Sequence, residues 1–275
     1  MNILLKLEQT IFNSNLNNSS LVYVSKPLNE MTFDEYNELA LIYKEKGLFD
    51  KVIFFYSKAL IQRVINLGES NIKSIRSTIK LAEAYLDNNM IVESLSLYEK
   101  SLELSLNKLG KNSLQVASIY SALANIHFDR NSLEKSFNFY LEALSIRKSI
   151  LGENHPLTAM SQHELAYFYA ASEEYTLALP LFEQALEVRI ELYRLSHPET
   201  AKSYNSLAMC HYHLFHYDQA YEYLVKAIKI KEMIFPKNDE RILSCKMNLE
   251  EIEKNFLKGK KDTLIKNIFR WIKSF

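Results

Sequence analysis

Leu-Ala occurs at Leu39-Ala40, Leu81-Ala82, Leu123-Ala124, Leu165-Ala166 and Leu207-Ala208, each pair 42 residues after the last. One further step lands on Leu249, followed by Glu250. Other columns keep the same step. A ring follows four positions after each Leu, at Tyr43, Tyr85, His127, Tyr169 and His211. An apolar series runs Phe49, Ile91, Leu133, Tyr175, Tyr217, and a second runs Tyr56, Tyr98, Tyr140, Phe182, Leu224. Small residues recur at Ala59, Ser101, Ala143, Ala185 and Ala227. Columns in one register define a tandem repeat, and a period of this size belongs to stacked supersecondary units.

The punctuation makes each unit a pair of helices. Gly and Pro number only five each, which leaves few turns and favours long helices. Leu67-Gly68, Leu109-Gly110 and Leu151-Gly152 place a glycine where the left-handed conformation can end a helix. Pro156 and Pro198 then fall in the first turn of the next helix, where a missing N–H costs least. Gly47 is read as the turn inside the first unit, Gly259 as the joint before a last helix, and Pro180 as a first-turn proline. The first helix of a unit (A) carries Leu-Ala and the ring; the second (B) carries an aromatic and, three positions on, the small residue. Small residues let the two approach, and rings fill the space beside them.

On these residues, and on "LGENHPLTA", "ALPLFEQALEVR" and "YNSLA", the chain resembles the tetratricopeptide repeat in its longer, 42-residue subtype, as in kinesin light chains. The resemblance implies an all-α fold, a right-handed α-solenoid of antiparallel helix hairpins. The expected organisation is an N-terminal cap or linker at 1–31, five repeats plus a partial sixth at 32–257, and a basic amphipathic helix at 258–275. The second repeat is the weakest match, with Ile79-Lys80 and Ser94 in place of the usual types.

The resemblance also implies that A helices line a concave groove for an extended or helical peptide. Counted by register from each Leu-Ala, the candidate lining is Arg76 in repeat two, and Asn125 and Phe128 in repeat three. Repeat four supplies Met160, His163 and Tyr167; repeat five supplies Lys202, Asn205, Met209, Tyr212 and His213. Thioethers and rings suit an apolar anchor on a partner. Asn125 and Asn205 can bond both groups of a peptide backbone, and Lys202 or Arg76 can hold a carboxylate. The Lys/Asn clamp of chaperone-binding members is not reproduced, since Asn37, Ile79 and Ser121 stand at its places.

Other signals read as structural. "CHYHLFH" gathers Cys210, His211, His213 and His216, but on a helix His211 and His213 point about 200° apart, so no metal site is expected. No glycine-rich phosphate loop or nucleophile elbow is present, and neither catalysis nor a cofactor is expected. Lys+Arg and Asp+Glu both total 33, which gives no global field for nucleic acid. Two cysteines make no disulfide framework and point to a reducing, cytoplasmic setting. Lys6 and Glu8 interrupt the first apolar run, unlike a signal peptide.

The last eighteen residues stand apart. From Lys258 onward six basic residues face one acid, Asp262, while Leu264, Ile265, Ile268, Phe269, Trp271, Ile272 and Phe275 form an apolar face. Such a helix either caps the last repeat or reaches a membrane surface or partner. The function expected is therefore a non-catalytic protein-interaction module. The alternatives are a membrane-peripheral adaptor working through Lys258–Phe275 and a peptide-responsive regulator.

Overall fold

In the computed structural model the described residues are 27–193 and 197–272, with side chains described as far as Leu257. Among them are a short 3-10 turn, Leu28–Glu30, and eleven α-helices, with no strand. Repeat one is α1 (Phe33–Glu45) and α2 (Phe49–Leu67), and repeat two is α3 (Ile72–Asp87) and α4 (Ile91–Leu109). Repeat three is α5 (Leu114–Asp129) and α6 (Leu133–Leu151); repeat four is α7 (Pro156–Ala171) and α8 (Tyr175–Tyr193). Repeat five is α9 (Pro198–His213) and α10 (Tyr217–Ile234), and α11 (Glu240–Ile272) follows. Contacts group these into two compact units, Met1–Ile146 and Arg147–Phe275, inside each of which consecutive helices pack together.

The 42-residue columns are the core of both units. Ala40, Ala82 and Ala124 of the first unit, and Ala166 and Ala208 of the second, are fully buried, as are the B-helix residues Ala59, Ser101, Ala143, Ala185 and Ala227. A further small column, fully buried, appears at Ser94, Ser136, Ala178 and Ala220. Ser94 Oγ donates to the Ala82 carbonyl at 2.8 Å and Ser136 Oγ to that of Ala124 at 2.9 Å. The departure at Ser94 is thus a satisfied hydrogen bond, repeated one step later.

Polar columns fix the joints. The residue before each A helix from the second onward is Asn71, Ser113, His155, His197 or Asp239. Asn71 Oδ1 accepts from the Lys73 N–H, His155 Nδ1 from that of Leu157, and His197 Nδ1 from that of Glu199. Each occupies one of the N–H groups a helix start leaves open. A cation late in the B helix reaches the next A helix fourteen residues on. Arg63 donates to Ser77 Oγ at 2.7 Å, and Arg147 and Arg189 donate to Ser161 and Ser203. Lys231 donates to Cys245 Sγ at 2.9 Å, so the fifth repeat keeps the contact with both partners changed. Arg147 is 2% exposed and also faces Glu164 at 3.6 Å, which partly offsets the cost of burying its charge.

Part of the Gly and Pro punctuation differs from the expectation. Gly68, Gly110 and Gly152 do have positive φ, 84°, 75° and 83°. The ψ values at the first two, 158° and 176°, lie in the extended region that only glycine reaches, not in the left-handed helical region. Pro180 is the sixth residue of α8 and not in its first turn; it is exposed, so the carbonyl it leaves unbonded faces water. Gly259 is no joint, because α11 continues through it for 33 residues in all.

The turns inside repeats explain why α11 does not stop. Gly47, Asn89, Asn131, Glu173 and Phe215, again 42 apart, all have φ between 57° and 68°. The sixth member of this column is Leu257, and Gly259, Lys266 and Phe269 break the three B-helix columns that would follow. No second helix is encoded there, and the A helix runs on. The expected N-terminal cap lies outside the described residues up to 26. From 27 on, Met31 is buried against the first hairpin and its carbonyl accepts from Gln62 at 3.1 Å.

Candidate binding face

The face to be tested is the side of each A helix that the packing columns leave over. In the second unit it is apolar. Tyr167 of α7 is 54% exposed, Met160 and Ala170 are half-buried, and on α9 Asn205 and Met209 are half-buried while Lys202 and His213 are exposed. A pocket of about 250 Å³ opens between α7, α8 and α9. Four predicted residues line it: Tyr167, Asn205, Met209 and His213. Tyr175 forms a wall, stacked on His213 with centroids 4.5 Å apart, and Phe182 and Cys210 lie at its base. Burial pushes the Cys210 thiol up to about 11, so it is a protonated apolar surface and not a nucleophile.

Other predicted residues go elsewhere. His163 is 4% exposed, edge-on to Phe182 at 4.9 Å, with Nε2 3.3 Å from Ser206 Oγ. It joins repeat four to repeat five and offers nothing to a ligand. Burial, with Arg189 and Lys202 nearby, lowers its pKa to about 3, so it is a neutral packing residue. Tyr212 is outside the pocket; its hydroxyl donates to Glu251 at 2.7 Å and accepts from Asn255 at 3.0 Å. Asn205 Oδ1 accepts the Cys245 S–H at 3.2 Å, and Met209 Sδ accepts from Asn248 at 3.7 Å. The start of repeat six therefore uses one edge of the α9 face and leaves the edge toward α7 open.

The same face in the first unit is mixed, with exposed Leu41 among polar groups that pair with one another. Arg76 Nε donates to Gln115 at 3.2 Å, Asn125 accepts the Tyr140 hydroxyl at 2.5 Å, and Phe128 is half-buried. Lys44 pairs with Asp87 at 2.7 Å, and burial raises the carboxyl pKa of Glu83 beside them.

Tyr175 belongs to a packing column by register and lines the pocket as well, a place its spacing does not announce. Its ring does both, since a residue at the start of a B helix borders the mouth between two A helices. Among the described residues no group of three or more His, Cys, Asp or Glu is placed to hold a metal, although His211 and His216 approach within 3.4 Å through Nδ1. Both cysteines are buried and free. No described helix is long and apolar enough to cross a membrane.

Comparison with known proteins agrees with the helical-repeat fold. The sequence profile of the family described as "Tetratricopeptide repeat" matches residues 74–149, 115–166 and 157–233, together more than half of the chain. Among solved structures, a putative kinesin light chain repeat protein of Podosopora anserina superposes with a TM-score of 0.62 at 22% identity, covering 72% of this chain and 94% of that one. BtubC (BKLC) from P. vanneervenii gives 0.66 at 18% identity, with 86% and 93% covered. Aspartyl phosphate phosphatase F from Bacillus subtilis gives 0.60 at 20% identity, covering all of this chain and 74% of that one. These superpositions establish a shared helical-repeat solenoid fold. No curated protein sequence matches the chain.

Proposed function

Because the chain belongs to the tetratricopeptide-repeat family, whose arrays are in general protein-interaction scaffolds, we propose that it is a non-catalytic module holding a peptide or protein segment against the A helices of repeats four and five. The observation that carries this reading is the pocket shared by Tyr167, Tyr175, Asn205, Met209 and His213. A concave apolar site with a few convergent polar groups is the usual form of a binding site. The pocket receives one apolar side chain of the partner between the Tyr167 ring and the Met209 thioether. Asn205 spends its oxygen on Cys245 and keeps its amide hydrogens for a partner carbonyl. Lys202, exposed on the same helix, meets an acidic group beyond the anchor.

The test is affinity capture with the wild type beside a Tyr167→Ala/Met209→Ala variant. Neither side chain belongs to a packing column, so the fold should be retained by circular dichroism. A specific partner held by the wild type and lost from the variant is expected. A specific partner held equally by both would move binding off this face.

A further inference from the structure

The flank of α11 carries a second surface, built where the repeat pattern fails. In the second unit His211 stacks on Tyr223 of its own repeat's B helix, with centroids 5.4 Å apart. The residue 42 positions on is Glu253, an acid where five repeats carry a ring. Where α11 runs on in place of a turn and a B helix, a pocket of about 550 Å³ lies between α10 and α11. Its floor is Tyr221, Phe256 and Leu257, and its rim is Asp218, Glu222 and Glu253. Leu257 is 65% exposed. None of the three carboxylates makes an ion pair with a described basic group.

Beside it stands an exposed ring in a costly conformation. Phe215, three residues before Asp218, is 76% exposed with φ at 61°, where the first three repeats use Gly or Asn. A bulky side chain there costs about 1 kcal/mol or more, and the ring, edge-on to Tyr217 at 6.3 Å, stays largely in solvent.

An apolar floor with an acidic rim fits a basic amphipathic helix. The chain itself carries one: residues 258–272 continue α11, with Lys258, Lys260, Lys261, Lys266 and Arg270 among apolar residues. A continuous helix cannot lie on its own flank, and at about 1.5 Å per residue this extension carries its residues roughly 22 Å beyond Leu257. We infer that the chain forms a two-fold dimer in which the 258–272 extension of each copy lies in the acid-rimmed pocket between α10 and α11 of the other. The exchange is reciprocal, so one charge complementarity is used twice and the contact closes.

The test is the mass of the full chain across concentration, by light scattering or sedimentation. A dimer is expected for the wild type. Glu222→Lys/Glu253→Lys (reversed rim) and Lys266→Glu/Arg270→Glu (reversed extension) should each raise the dimer dissociation constant by at least about tenfold, with helix content unchanged. Mixing the two variants should restore dimers, since the far part of each extension, 264–272, then meets a rim of opposite sign. A wild type monomeric at every concentration, a dimer indifferent to either reversal, or no recovery on mixing would overturn the inference. An extension that binds anionic vesicles as a monomer would do the same, in favour of a membrane surface. The face on repeats four and five is untouched by these variants, so this result and the capture experiment are independent.

Discussion

His163 gives the sharpest quantitative prediction. Its ring is 4% exposed between Phe182 and Ser206, and burial with nearby Arg189 and Lys202 depresses its pKa from 6.5 to about 3. In the unfolded chain the same ring takes up a proton near pH 6.5. Between these values the unfolded state binds more protons than the folded one, so stability rises with pH and is lost as pH falls below about 6.5. Going from pH 7 to pH 5, this one residue should remove about 2 kcal/mol, from about 1.4 kcal/mol per pH unit once the unfolded ring is charged. The perturbation is His163→Asn, the residue that stands at the same register position in repeats one and five, Asn37 and Asn205. It removes the ring contact and lowers stability at both pH values, but it removes the titration as well. His127 and His211, whose pKa values are also lowered by burial, remain in both proteins and cancel. Thermal unfolding by far-UV circular dichroism at the two pH values reads the difference. The wild type should lose about 2 kcal/mol more than the variant, a gap of several degrees in midpoint. Equal losses would mean that His163 is hydrated or charged in the native state, and the packing described for repeats four and five would be wrong.

Further outcomes follow from the polar columns and the strained turn. Replacing Arg189 by Ala or by Met removes its bonds to Ser203 and Glu199 alike, and each should cost about 3 kcal/mol in urea unfolding; a Met variant as stable as the wild type would deny the buried cation its bonding role. His155→Ala should cost about 1 kcal/mol as a lost helix cap and His155→Asn almost nothing, because Asn71 caps its helix in the same way; thermal midpoints decide. Phe215→Asn should stabilise by about 0.5–1 kcal/mol by relieving a positive φ at an exposed site, and a lower midpoint would show that the ring packs after all.

The helical hairpins were legible because their signal is periodic, and a column repeated five times outweighs the ambiguity of any single residue. Some columns were harder to see. The turn at Gly47 announces itself, but Glu173 and Phe215 hold the same positive φ without a residue type that asks for it. The cap column mixes Asn, Ser, His and Asp, which share only a place before the helix and, apart from Ser113, which forms no cap bond, an acceptor used there. At Gly259 the local signal misled, because a glycine near a break in the pattern reads as a joint while the flanking residues are good helix formers.

The binding face was legible to the extent that spacing selects one side of a helix. It could not say what lies opposite. Tyr167 and His163 sit one turn apart on α7, yet Tyr167 is 54% exposed and His163 is covered by Phe182 and Ser206. Met209 and Tyr212 are likewise neighbours on α9, and residues about 40 positions later in α11 decide that Tyr212 is taken. Such pairings depend on the partner repeat, and periodicity within one helix carries no information about them.

The proposed function stands or falls with the exposed edge of α7 and α9 as the place where a partner is held. A photo-reactive side chain at Tyr167 or at Met209, compared with one at Glu183 on the exposed face of α8, measures this directly. Cross-linking of one protein partner from the first two positions and none from Glu183 is the predicted result. A partner captured from Glu183, with none from Tyr167 or Met209, would contradict it.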